Sequence, residues 1–263
     1  MLIATTLLMQ IVTQPPRLAL PVSRTRAIAA VYRLWDPDSG APLHLATWSV
    51  AVDGIRRRID SLPLTIRFRF DPRDGRRQEV AASEVASFSR THLAGVRAVP
   101  APAGEGEWSL RVQVPAPSQG TEFRGTTGAA PLEPFALSDI VVGDSTQQLT
   151  IRLGRHDVIL APRQVIARDV PLELYFQVRS PVAADSARFT YRLRRVVGGE
   201  PVPEETLRVT MVGALQAGIT PVQQRLGADR LVGDHFVLEV RVEVDEARSA
   251  LQRTELHLIR AGP

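Results

Sequence analysis

The sequence predicts an all-β protein made of two tandem antiparallel β-sandwich domains of immunoglobulin-like type. Three observations predict it: runs of two-residue alternation, Pro-, Asp- and Gly-bearing turns between the runs, and an internal repeat. Leu64, Ile66, Phe68 and Phe70 alternate with Thr65, Arg67 and Arg69, and Trp108, Leu110, Val112 and Val114 alternate with Ser109, Arg111 and Gln113. Leu172, Leu174, Phe176 and Val178 enclose Glu173, Tyr175 and Gln177, and Phe236, Leu238, Val240, Val242 and Val244 form the longest run. Successive side chains of a strand point to opposite faces, so each run has one apolar and one polar face, the mark of an antiparallel sheet wet on one side.

Asp36-Pro37-Asp38-Ser39-Gly40 separates an apolar run at 31–34 from one at 43–52, and Asp71-Pro72-Arg73-Asp74-Gly75 follows the run that ends at Phe70. Pro presets φ, Asp bonds its own backbone and Gly accepts positive φ, so both stretches read as turns, as does Val197-Gly198-Gly199-Glu200. Thr220-Pro221, the apolar residues within 222–226 and Gly227 carry an N-cap, a first-turn Pro and a Gly stop, which predicts one or two turns of helix. The repeat sets Trp48 against Leu174, Ile66 against Tyr191 and Trp108 against Phe236, in the same order and at nearly constant spacing. The Pro- and Gly-bearing stretch 126–134 is the natural boundary. The division is therefore an apolar N-terminal segment, 1–17, a first sandwich domain, 18–133, and a second, 134–263.

A chain of 263 residues suits two domains, and 44% hydrophobic with 23% charged residues describes a packed protein. The sequence holds no Cys, Lys or Asn, so disulfides and N-linked glycans are excluded and all 32 basic residues are Arg. That usage drives the pI to 10.4 although the net charge is only +4, and a charge this small predicts no nucleic-acid partner. Residues 1–12 are almost wholly apolar but too short to span a bilayer. They have the length of a signal h-region without its positive n-region or a clear cleavage site, and read equally as a signal remnant or a packed segment.

Gly143-Asp144-Ser145 follows the apolar stretch Ile140-Val141-Val142 and resembles the nucleophile tripeptide of Gly-Asp-Ser hydrolases. Those enzymes resemble one another also in an Asn-bearing block and a late Asp-x-x-His, neither of which occurs here, so the tripeptide reads as a turn between strands. His44, His92, His156, His235 and His257 show no metal-ligand spacing, and Glu204-Glu205 and Asp245-Glu246 fall near turns. No catalytic residue, cofactor or metal is expected. Arg67 and Arg69, with Arg192 and Arg194 at the repeat-equivalent places, line the polar face of one strand in each domain and are the candidate interaction face. The plain reading is guanidiniums paired across strands with Glu. The functional one is a face for an anionic lipid head group, a glycan or an acidic protein. Aromatic residues at 5% disfavour a sugar-stacking surface.

Leu137-Ser138-Asp139-Ile140-Val141-Val142, Val158-Ile159-Leu160-Ala161-Pro162, Leu172-Glu173-Leu174-Tyr175-Phe176-Gln177-Val178 and Phe189-Thr190-Tyr191-Arg192-Leu193 follow one another along the second half of the chain. They resemble the β-rich region of the GWxTD-motif-containing bacterial proteins, over roughly residues 100–263. The motif itself is absent, so the resemblance implies a β-sandwich and a place in the cell envelope, periplasmic or exported, and no catalytic residues. The expectation is a non-catalytic protein-interaction or scaffold module, an accessory subunit in a membrane-associated assembly. The alternatives are a hydrolase with its site in the interdomain cleft and an anionic lipid or glycan binder using the Arg faces.

Overall fold

The computed structural model of the chain describes residues 27–51, 63–73, 75–85, 87–88, 92–101, 104–114, 119–128, 131–146, 149–161, 165–168, 170–228 and 231–259. The N-terminal segment 1–17 lies outside the described residues, as do Asp74 of the second turn and the boundary residues 129–130. Among the described residues every regular element is a strand. Two compact units emerge from their contacts, one of residues 27–33 and 42–128, the other of Leu34–Ala41 and residues 131–259. The stretch Leu34–Ala41, read from sequence as part of the first domain, thus belongs to the second unit.

The first unit contains β1 (Ala27–Trp35, but for its last two residues), β2 (Pro42–Ala51), β3 (Pro63–Pro72), β4 (Gln78–Val85), β5 (Ser87–Phe88), β6 (His92–Pro100), β7 (Gly106–Val114) and β8 (Gln119–Thr127). They form two sheets ordered β1-β2-β6-β5 and β4-β3-β7-β8. Ala46, Trp48 and Val99 of one sheet pack on Ile66, Phe68, Phe70, Trp108, Leu110 and Val112 of the other. Two glycines make room for the indoles. Gly95 stands opposite Trp48 and Gly125 opposite Trp108 in their ladders, and a Cβ on either would lie 2.5 and 2.8 Å from the ring. Each Trp therefore lies across the bare backbone of its neighbour strand, covering a gap that glycine alone would leave in the sheet.

The second unit contains β9 (Ala136–Leu137), β10 (Val141–Asp144), β11 (Thr150–Leu153), β12 (His156–Ile159), β13 (Val165–Ala167), β14 (Leu172–Ser180), β15 (Ala184–Val197), β16 (Glu200–Leu215), β17 (Gly218–Leu226), β18 (His235–Glu243) and β19 (Ser249–Ile259). One sheet runs β10-β14-β17 with β9 also on β14, the other runs β13-β19-β18-β15-β16, and β11 and β12 form a hairpin. Phe176, Val178, Tyr191, Phe236, Leu238 and Val240 head the core between the sheets. Val197-Gly198-Gly199-Glu200 is the β15–β16 turn, with both glycines at positive φ (62° and 90°), the two-residue hairpin geometry that glycine favours.

Set side by side, β1-β2-β6 matches β10-β14-β17 and β4-β3-β7-β8 matches β16-β15-β18-β19, in the same chain order, the three-plus-four arrangement of immunoglobulin-like sandwiches. The repeat falls on these equivalents: Trp48 and Leu174 on β2 and β14, Ile66 and Tyr191 on β3 and β15, Trp108 and Phe236 on β7 and β18. Register agrees too, since Ile66 pairs with Val112 where Tyr191 pairs with Val240, and Phe70 with Trp108 where Arg195 pairs with Phe236. Trp108 and Phe236 are both buried in their cores.

Two expectations fail. Residues 220–226 form no helix but lie in β17, paired along its whole length with β14. Val222 and Leu226 are spaced by four, which suits a strand face as well as a helix face. Pro221 is tolerated because β17 is, among the described residues, an edge strand with no ladder bond to give on its outer side. Second, β14 is not half-exposed, because Tyr175 and Gln177 are as buried as their apolar neighbours. Gln177 accepts a hydrogen bond from the Trp35 N–H and donates one to the Trp35 carbonyl, each 2.7 Å, and donates another to the Tyr175 hydroxyl at 3.0 Å. Its amide acts as a strand would toward Trp35, whose ring packs with Ala136 and Ile219. Burial pushes the Tyr175 phenol up to about 12.

Candidate functional site

The alternation that points Ile66, Phe68 and Phe70 inward points Arg67 and Arg69 outward on the face of β3. Arg67 lies 3.1 Å from Glu79 of β4, and Arg69 2.6 Å from Asp71. That hydrogen bond from Arg69 holds the Asp71 carboxyl below the usual carboxylate range, against the opposing pull of desolvation. Over half of the Arg67 side chain is exposed, so this face is a set of separate, wet ion pairs.

Arg192 and Arg194 hold the same places on β15, but their partners converge. Arg192 stands directly opposite Glu239 of β18 and also reaches Glu205 of β16 at 3.2 Å. Arg194 and Arg253 of β19 close on the other Glu239 oxygen at 3.4 and 2.9 Å. The Glu239 side chain is only 4% exposed and is ringed by three guanidiniums from two flanking strands. All four Arg singled out from the sequence therefore have carboxylate partners.

Gly143-Asp144-Ser145 closes β10. The Asp144 carboxylate accepts from the Thr146 N–H at 2.8 Å and the Thr146 hydroxyl on one oxygen, and from the Ala167 N–H at 3.0 Å on the other. It is wholly buried and tethers β13 to the turn. Ser145 is exposed and its hydroxyl makes no hydrogen bond among the described residues.

A grouping that the sequence reading missed lies on β18 and β19. His235 and His257 face each other across the ladder, their rings stacked at 4.3 Å and 19°. Glu255, two residues before His257 and hence on the same face, reaches the His235 Nε2 at 3.2 Å. One donor atom from each of the three lies within 4.8 Å of the others. Desolvation, helped by the neighbouring His235, lowers the His257 pKa, while Glu255 acts in the opposite sense. The available signal was Glu255-x-His257, because on a strand neighbours on one face are two apart rather than three or four.

The remaining feature is an edge. β16 ends its five-stranded sheet and pairs only with β15 among the described residues. Its first residues carry Pro201, Pro203, Glu204 and Glu205, devices that blunt an edge. From Thr206 to Leu215 it has no Pro and only Arg208 as a charge, and Met211 and Val212 are 41% and 69% exposed.

Strand order and cores define the class as an all-β, immunoglobulin-like sandwich protein. No protein-family model and no curated protein matches the chain. Among solved structures it is similar to a Bacteroides uniformis β-glucuronidase, with TM-score 0.34, 10% identity and coverage of 80% of this chain and 26% of that one. It is similar also to red sea bream transglutaminase, with TM-score 0.28, 12% identity and coverage of 90% and 32%. The chain spans less than a third of the length of either protein.

Proposed function

We propose that this chain is a non-catalytic protein-interaction or scaffold module of the bacterial cell envelope, and that a partner protein adds a strand along β16. The observation that carries the reading is the Pro-free half of this 16-residue edge strand, with exposed Met211 and Val212. Open backbone donors and acceptors beside apolar side chains offer both affinity and register to an incoming strand. The envelope setting rests on the resemblance of residues 100–263 to the GWxTD-motif proteins. An anionic lipid or glycan on the Arg faces is the weaker reading, because Arg67, Arg69, Arg192 and Arg194 already have carboxylates. The hydrolase reading draws no support from Ser145.

A photo-crosslinking residue placed at Val212 or, as a control, at Ser145 tests this in envelope fractions of the producing bacterium. One protein adduct of defined mass from position 212 and none from position 145 is expected. Equal labelling from both, or none from position 212, overturns the strand-addition reading.

A further inference from the structure

We propose that His235, Glu255 and His257 form a binding site for a divalent transition-metal ion of the zinc class on the outer face of the β18–β19 ladder. The pleat brings the three together: cross-strand partners and i, i+2 neighbours share one face, so the ladder register alone puts two imidazoles and a carboxylate on one small triangle. Tetrahedral ligation with bonds of about 2.0–2.2 Å requires donor atoms about 3.3–3.5 Å apart. The His235 Nε2 and Glu255 Oε2, at 3.2 Å, already stand at that separation. The three donor atoms lie within 4.8 Å of one another, so closing the triangle takes a shift of at most roughly 1.3 Å, together with a turn of the imidazoles out of their 19° stack that aims both nitrogen lone pairs at the ion.

The donor set selects the ion. Two imidazole nitrogens and one carboxylate oxygen suit Zn²⁺, Ni²⁺, Co²⁺ or Cu²⁺, whereas Ca²⁺ and Mg²⁺ want oxygen shells. All three side chains are half-buried, so the backbone of two paired strands fixes them while one side of the triangle stays open for a water as fourth ligand. The competing account is a hydrogen-bonded His–Glu pair beside a stacked His, with no ion.

Titration calorimetry of the chelator-stripped full chain with Zn²⁺ at neutral pH separates the two. Binding of about one ion per chain is expected. His235→Ala or His257→Ala should weaken it at least about tenfold, with a smaller loss in Glu255→Gln and none in His156→Ala, whose ring lies against Gln223 instead. Absence of saturable binding, or binding kept in the His235→Ala/His257→Ala double variant, overturns the site. Should the alanine variants fail to fold, Co²⁺ added to the unaltered chain decides. Two paramagnetically shifted imidazole N–H signals support the site, and their absence refutes it.

Discussion

The Arg-x-Arg pattern on β3 of the first unit and its equivalent on β15 of the second differ in what surrounds them. Arg67 and Arg69 each meet a separate, solvent-washed carboxylate, whereas Arg192 and Arg194 converge with Arg253 on one buried Glu239. The cores differ in a parallel way. The first unit closes its sheets by laying Trp48 and Trp108 over glycines, while Leu174 and Phe236 hold those places in the second, opposite Gln224 and Leu256. One topology is thus stabilised by two sets of interactions, because two-residue alternation dictates which side chains face in and says nothing of what they meet.

The comparison is sharpest in the cores. Trp48→Ala should remove about 3–5 kcal/mol from the first unit, read by urea titration, since it deletes a large buried ring and uncovers Gly95. Leu174→Ala should remove about 2–5 kcal/mol from the second. A Trp48 loss that exceeds the Leu174 loss by no more than the difference in removed side-chain volume would show that the Trp-over-Gly device adds nothing beyond volume. Next in size, Glu239→Ala should cost about 3 kcal/mol, because three guanidiniums lose a shared, buried partner. The double change Arg67→Gln and Arg69→Gln should move the melting temperature by less than about 2 °C, as exposed pairs contribute little. A larger loss from the β3 pair than from Glu239 would break the comparison.

The smallest effect concerns pH. His257 titrates lower in the folded chain than in the unfolded one, so below the unfolded value of 6.5 the unfolded chain binds more protons. The metal-free protein should therefore hold its full contribution from this group above pH 6.5 and lose it as pH falls through the lowered folded value. His257→Gln should flatten that slope, and an unchanged slope would assign it to other groups.

Strand positions were legible where a local period carried them. Trp48, Ile66 and Trp108 and their counterparts fall on equivalent strands in matching register, since apolar spacing fixes both strand and face. Partners that arrive from distant sequence were not legible. The helix expected over 220–226 gave way to a strand because β14 stood beside it, and the polar side of β14 is buried because Gln177 meets Trp35. The His235, Glu255 and His257 grouping depends likewise on a β18–β19 register that no single strand announces. Glu239 looked like any outward Glu until three Arg came to surround it.

The hydrogen bonds between Trp35 and Gln177 join residues 142 positions apart. During synthesis Trp35 leaves the ribosome long before its partner exists. At about 5–20 residues per second the interval is on the order of 10 s, far longer than a strand pair needs to form. In that interval β1 and β2 can pair, while the hairpin tip between them holds an indole and two backbone groups with no protein partner. The tip is thus a late-closing element, open to chaperones or misassociation until β14 emerges.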